Sequence, residues 1–218
     1  VSTRRTGWWR RGDGRLIVMS TPGHVGLVGL VLLFLTAWAG VAGAEVANVR
    51  EWTLADVSSG GTESSLGTTW RSVTDTVMGG VSRAQLALDE IDGRRCLRFT
   101  GEVRLENNGG FVQAGLDLDP DGSPLDASGF TGVRLVVRGN GETYGLHLRT
   151  RDLWFPWQSY RASFTAPPAW TEVRLPFASF TAYRTTTRLD AARLVRLGVF
   201  AIGRAFTADV CVAEVGLY

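Results

Sequence analysis

The chain has 218 residues, with 23 basic and 21 acidic side chains, two histidines and two cysteines. All 23 basic residues are arginine, so a lysine Schiff base is excluded. Five of those arginines and one acidic residue fall in the first 44 positions, leaving 18 basic against 20 acidic side chains in the remaining 174 residues. A near-neutral domain of this kind argues against nucleic acid, whose phosphates call for a concentrated basic face.

The first segment carries Arg4, Arg5, Arg10, Arg11 and Arg15, then no charge until Glu45, with an apolar run from Leu27 to Val41 inside that gap. It closes on Ala42, Gly43 and Ala44. A basic start, an apolar run and small residues before a cut predict a secretory signal peptide, cleaved between Ala44 and Glu45. The alternatives are an uncleaved membrane anchor, a start at Met19, or organelle import, although an import presequence should be amphipathic and this run is apolar all round. Export would place the protein in the periplasm or outside the cell, with membrane contact only through an uncleaved leader.

The remaining length suits one core, since a chain of this size buries about 70% of its unfolded surface without help from metal or disulfide. Residues 45–69 are rich in Ser, Gly and Thr, notably SSGGTESS from Ser58 to Ser65, and read as a loose lead-in to a domain over 70–218. From Trp70 onward the pattern is short alternating runs separated by Gly, Pro, Asp and Asn. Nine strands are predicted: Val81 to Leu88, Cys96 to Val103, Phe111 to Leu118, Val133 to Arg138, Tyr144 to Thr150, Ser159 to Phe164, Glu172 to Leu175, Val195 to Ile202 and Ala208 to Leu217. In the second of these, Leu97, Phe99 and Val103 share a core face if Gly101 accommodates the interval. Gly139, Asn140 and Gly141 predict a hairpin between the fourth and fifth strands. One short helical piece is expected over Leu189 to Val195, ended by Gly198. The class implied is an all-β sandwich.

Several stretches, in order, resemble one family: WRSVTDTVMGGVS (Trp70 to Ser82), LRFTG (Leu97 to Gly101), ENNGGF (Glu106 to Phe111), GFTGVRLVVRGNG (Gly129 to Gly141), YGLHLRT, SYRASF, the W-x-x-V-x-L-P-F run of Trp170 to Phe177, and LGVFAIG. Together they resemble the Complex I intermediate-associated protein 30 (CIA30) family over about Trp52 to Tyr218. The resemblance implies a galactose-binding-domain-like jelly-roll β-sandwich and a chaperone-like role in assembling respiratory complex I. The leader departs from that picture, because an exported protein would not meet the matrix arm of complex I. Fold therefore transfers more readily than pathway.

Asp75, Met78, Gly79, Gly80 and Ser82 are expected on a loop, with Asp75 accepting backbone N–H bonds and the glycines allowing close approach. Asn107, Asn108, Gly109 and Gly110 suit a tight hairpin. Between Arg149 and Tyr160, the side chains of Trp154, Trp157 and Tyr160, with Phe155, lie among Arg149 and Gln158; such aromatics stack on sugar rings, anchor a protein partner, or pack in the core. Asp117, Asp119 and Asp121 match the first half of a calcium loop, but its twelfth position is Ser128 and Pro120 interrupts it, so a plain turn is the stronger reading and no metal or other cofactor is expected. Cys96 and Cys211 fall on predicted strands and form either a disulfide or two reduced thiols. His147 alternates with Leu146 and Leu148, which favours a structural side chain over a base. With no catalytic constellation, the expectation is a non-enzymatic binding domain for a protein client, or alternatively a carbohydrate-binding module of the cell envelope.

Overall fold

The computed structural model describes residues 50–57 and 61–218. The leader, its cleavage point between Ala44 and Glu45, and the first three residues of SSGGTESS therefore lie outside the described residues. Among the described residues, twelve strands form two antiparallel sheets facing one another. They are β1 (Trp52–Asp56), β2 (Arg71–Thr74), β3 (Arg83–Ile91), β4 (Arg94–Val103), β5 (Phe111–Asp117), β6 (Gly132–Gly139), β7 (Thr143–Thr150), β8 (Ser159–Thr165), β9 (Thr171–Pro176), β10 (Thr181–Tyr183), β11 (Leu194–Ile202) and β12 (Phe206–Leu217). The first sheet runs β3-β4-β12-β6-β9, with β1 also pairing β12, and the second runs β10-β8-β7-β11-β5-β2. The all-β sandwich expectation holds.

Alternation builds the core. In β6, Val133, Leu135 and Val137 are fully buried, and across the sandwich Leu146, Leu148, Leu116 and Val199 are equally closed off. Leu97, Phe99 and Val103 do share the inner face of β4. Gly101 sits on that same face, where a Cβ would come within 2.7 Å of the Arg83 carbonyl oxygen. A register shift between Val212 and Glu214 changes the parity of β12. Val210 and Val212 before the bulge, and Val215 and Leu217 after it, therefore all point inward.

Four local expectations are corrected by the tertiary structure. Residues 52–56 are not a loose lead-in: Trp52 to Asp56 pair with the end of β12, and Leu54, Ala55 and Val57 are buried. Gly139 to Gly141 make no hairpin, because β6 and β7 belong to opposite sheets. The Gly139 N–H instead donates to the Pro167 carbonyl oxygen, that of Gly141 to Ala166, and that of Asn140 to Asp209. The Tyr144 hydroxyl fastens this crossing, donating to Asn140 Oδ1 at 2.7 Å and accepting the Asp209 N–H at 2.8 Å, and burial pushes its pKa up to about 12. Asn107 to Gly110 likewise carry the chain from β4 in one sheet to β5 in the other rather than closing a hairpin. Only Ala191–Arg193 of the expected helix forms a 3-10 turn, and Leu194 and Gly198 lie in β11.

On the outer side of the first sheet, Cys96 of β4 and Cys211 of β12 form a disulfide with a Cα–Cα separation of 5.5 Å. Val136 and Ala213 surround it, and Ile91 and Trp170 pack against the group as a second, smaller apolar cluster.

Candidate functional site

The two glycine-rich motifs meet at one carboxylate. Asp75 opens a 3-10 turn over Asp75–Met78, with Thr74 capping it, and its side chain has no solvent exposure. Its Oδ1 accepts the Ser82 N–H at 2.9 Å, while Oδ2 accepts the Ser82 hydroxyl, the Gly110 N–H at 2.6 Å and the Phe111 N–H at 3.2 Å. Burial pushes the carboxyl pKa up, but these four donors outweigh it and hold the group below the ordinary aspartate value of 3.8.

The glycines follow from this clasp. A Cβ at Gly80 would overlap the Asp75 carboxyl group, and one at Gly109 would come within 2.5 Å of Oδ2. Gly79 has φ 88°, Asn107 and Asn108 both have φ 57°, and Asn107 Nδ2 donates to the Gly79 carbonyl oxygen. Met78 and Val77 stay exposed on the turn, and Val77 lines a groove of about 560 Å³ together with residues of β2, Thr76, Ser82 and the start of β3. The clasp has every carboxylate oxygen engaged, so it joins one sheet to the other and leaves Asp75 no proton to move.

The aromatic segment divides differently from its expectation. Trp154 is 91% exposed, and Phe155 and Trp157 are each about half exposed. Phe155 and Trp157 stack with ring centres 4.8 Å apart and planes 7° from parallel. Tyr160 is not available to a partner: it is buried in the core and its hydroxyl donates to the Arg188 carbonyl oxygen at 3.0 Å. Arg149 and Gln158 hold the loop in shape. Arg149 Nη1 donates to the carbonyl oxygens of Phe155, Pro156 and Gln158, while Gln158 accepts the Phe155 N–H and donates to the Arg184 carbonyl oxygen. The exposed rings are thus presented on a loop already ordered by the protein, which lowers the entropy lost on binding.

That loop joins β7 to β8, whose outward side chains continue as the outer face of the second sheet. His147 lies opposite Arg161 on one side and Gly198 on the other. A Cβ at Gly198 would come within 2.7 Å of His147 Nε2, and one at Gly145 would overlap the Phe200 ring. The two bare glycines let both rings lie flat on the sheet, with centroids 5.9 Å apart. Arg161 stands over the Tyr183 ring at 3.5 Å and the Phe200 ring at 5.0 Å. Sequence reasoning missed Arg161, Tyr183 and Phe200 as residues of the outer side of the sheet, although the alternation in SYRASF and LGVFAIG carried the signal for two of them.

Burial, then the charges of Arg161, Arg149 and Arg196, push His147 down to about 3, so it is neutral at ordinary pH. Its Nε2 is buried with no hydrogen-bond partner in this structure. Asp117 is held by Arg71 and by Arg196 at 2.5 Å, and Asp119 Oδ1 accepts the N–H groups of Asp121 and Ser123, which shapes the turn at Pro120. Among the described residues, no group of three His, Cys, Asp or Glu side chains comes together.

Comparison of the whole fold with solved structures places it near carbohydrate-binding modules. The family 11 module of the cellulosomal cellulase Lic26A-Cel5E of Clostridium thermocellum matches with a TM-score of 0.60 at 14% identity, over 78% of this chain and 94% of that one. A Clostridium thermocellum family 11 module in complex with a β-1,3-1,4-mixed-linked tetrasaccharide matches with a TM-score of 0.58 at 14% identity, over 78% and 95%. The family 30 module of the cellulosomal cellulase Cel9D-Cel44B of Clostridium thermocellum gives a TM-score of 0.56 at 13% identity, over 78% and 98%. No match was found among curated proteins. At these identities the likeness concerns the fold alone. At the level of sequence, the model of Complex I intermediate-associated protein 30 matches residues 60–206. That span contains the Asp75 clasp, the aromatic loop and most of both sheets, and the chain belongs to the CIA30 family.

Proposed function

We propose that this chain is a non-catalytic, exported glycan-binding domain. The observation that carries the reading is the parallel, half-exposed Phe155–Trp157 pair on a loop locked by Arg149 and Gln158. A pyranose ring presents apolar C–H faces that stack on such a platform, while the adjoining sheet face supplies hydrogen-bonding side chains, the composition typical of a ligand site. The carbohydrate-binding modules that share the fold support the same direction, one of them being solved with a tetrasaccharide. Absence of catalysis is supported by the chemistry of the two best titratable candidates. His147 is buried and neutral, and Asp75 is saturated with donors. Export is supported by the leader pattern and by the Cys96–Cys211 bridge, which belongs to an oxidising compartment.

Affinity electrophoresis and calorimetry of the full chain against a panel of polysaccharides test the reading. We expect saturable binding to at least one glycan, weakened about 10- to 100-fold by Trp157→Ala, a loss of about 1.4 to 2.8 kcal/mol. A panel with no saturable binding overturns it.

A second reading is favoured by Trp154, whose near-complete exposure suits an anchor for a protein surface. It corresponds to the chaperone-like client binding that the family resemblance implies, with respiratory complex assembly as one setting. Under that reading the chain suppresses aggregation of an unfolding client, and Trp154→Ala abolishes the effect.

A further inference from the structure

The six strands of the second sheet carry four arginines, Arg71, Arg149, Arg161 and Arg196, and a single carboxylate, Asp117. Asp117 is taken by Arg71 and Arg196. Arg149 spends one terminal nitrogen on three carbonyl oxygens of the aromatic loop. Arg161 is different. Its Nε donates to the Ser159 hydroxyl at 3.0 Å and its side chain also hydrogen-bonds to that of Tyr183, but it has no carboxylate partner among the described residues.

A guanidinium offers five N–H donors in one plane, so the bonds to Ser159 and Tyr183 leave this one with donors in reserve. The rings of Tyr183 and Phe200 orient the plane, and His147 supplies a flat, uncharged neighbour. Burial pushes the Arg161 pKa down, and the neighbouring Arg184 adds to that, with Tyr183 opposing. A half-desolvated cation without a counter-ion is costly, and a fork of free donors of this kind matches a carboxylate in bidentate fashion. The exposed platform of Phe155 and Trp157 is tied to the same end of the sheet. Gln158 bonds to the carbonyl of Arg184, next to Tyr183, and Ser159 directly follows Gln158 in the chain.

We propose that the outer face of the second sheet binds an acidic glycan, with Arg161 receiving the carboxylate of a hexuronate residue while Phe155 and Trp157 stack on a sugar ring. This rests on the glycan-binding reading above and adds the charge class of the ligand.

The test is calorimetry on the full chain with hexasaccharides of polygalacturonate, polymannuronate and polyguluronate, the methyl ester of the first, and a neutral mixed-linked β-glucan. At least one uronate should bind ten times or more tighter than the ester and the β-glucan, and should weaken as salt is raised. Arg161→Met, which keeps the bulk but not the charge, should remove that preference, so that the uronate binds no tighter than the ester. Equal or tighter binding of the neutral ligands overturns the acidic-glycan inference and leaves glycan binding standing, as does a uronate preference that survives in a folded Arg161→Met protein. Binding to none of the five ligands overturns the acidic inference outright, and the wider polysaccharide panel then decides glycan binding separately. The comparison of acid with ester is made on the wild-type protein, so it does not depend on the variant folding.

Discussion

Replacing Asp75 with alanine is expected to destabilise the domain by about 3 to 5 kcal/mol, because three backbone N–H groups and one hydroxyl lose their shared acceptor together inside the protein. For a chain of this size that corresponds to a fall in Tm of roughly 6 to 20 °C. Asp75→Asn should lose nearly as much, since it places an amide N–H₂ among groups that are themselves donors. The position also predicts a pH dependence. The folded carboxyl has its pKa held below the unfolded value of 3.8, so its contribution is complete above that value and is lost as pH falls through the folded value. Wild type and Asp75→Asn should therefore differ most near neutral pH and converge in acid. Thermal melts across that range check the prediction, and a gap that stays constant into strong acid would count against the ionised clasp. Gly80→Ala should be damaging for a related reason, since its methyl group would occupy the space of the carboxylate.

Removing the disulfide is the second large effect. Cys96 and Cys211 are 115 residues apart, so the bridge closes most of the domain into one loop and restricts the unfolded chain accordingly. The double substitution Cys96→Ala, Cys211→Ala should cost about 2 to 5 kcal/mol, or roughly 4 to 20 °C in Tm. Dithiothreitol should lower the Tm of the wild-type protein towards that of the variant and leave the variant unchanged. A wild-type Tm indifferent to reductant, with intact thiols detected by alkylation, would show that the bridge does not form.

How much of this was legible in the sequence depends on the range of the interaction. Strands β4, β6, β7, β8 and β12 announce themselves through alternation, because a period of two is written in the side chains of a few neighbouring residues. Strands β1, β2 and β10 do not. WTLAD, RSVT and TAY are too short to show a period, and each becomes a strand only by hydrogen bonding to a longer partner. Gly139, Asn140 and Gly141 carry a strong local signal for a reversal, and the chain does turn there. The signal cannot say that the next strand enters the opposite sheet, which is decided by where Asp209 and Ala166 lie.

The candidate site divides in the same way. Trp154, Phe155, Trp157 and Tyr160 form one aromatic cluster in the sequence, and nothing local separates the exposed rings from the buried one. Tyr160 is withdrawn because β8 begins at Ser159, and the alternation that starts there points residue 160 into the core. Arg149 and Gln158 look like contact residues by type, yet they are spent on loop carbonyls that only the folded chain brings within reach. Arg161, by contrast, lies in a run that was read as family signature rather than as surface.

Composition, alternation and the order of motifs by themselves determined the all-β class, the family and the near-neutral charge of the domain. All three are sums or periods over neighbouring residues. Tertiary structure decided the rest: that Asp75 joins two distant glycine motifs, that Cys96 meets Cys211, and that Arg161 has no carboxylate partner among the described residues. Each of these depends on the distance between groups far apart in the chain, and that distance is set only when both sheets bury their apolar faces against one another.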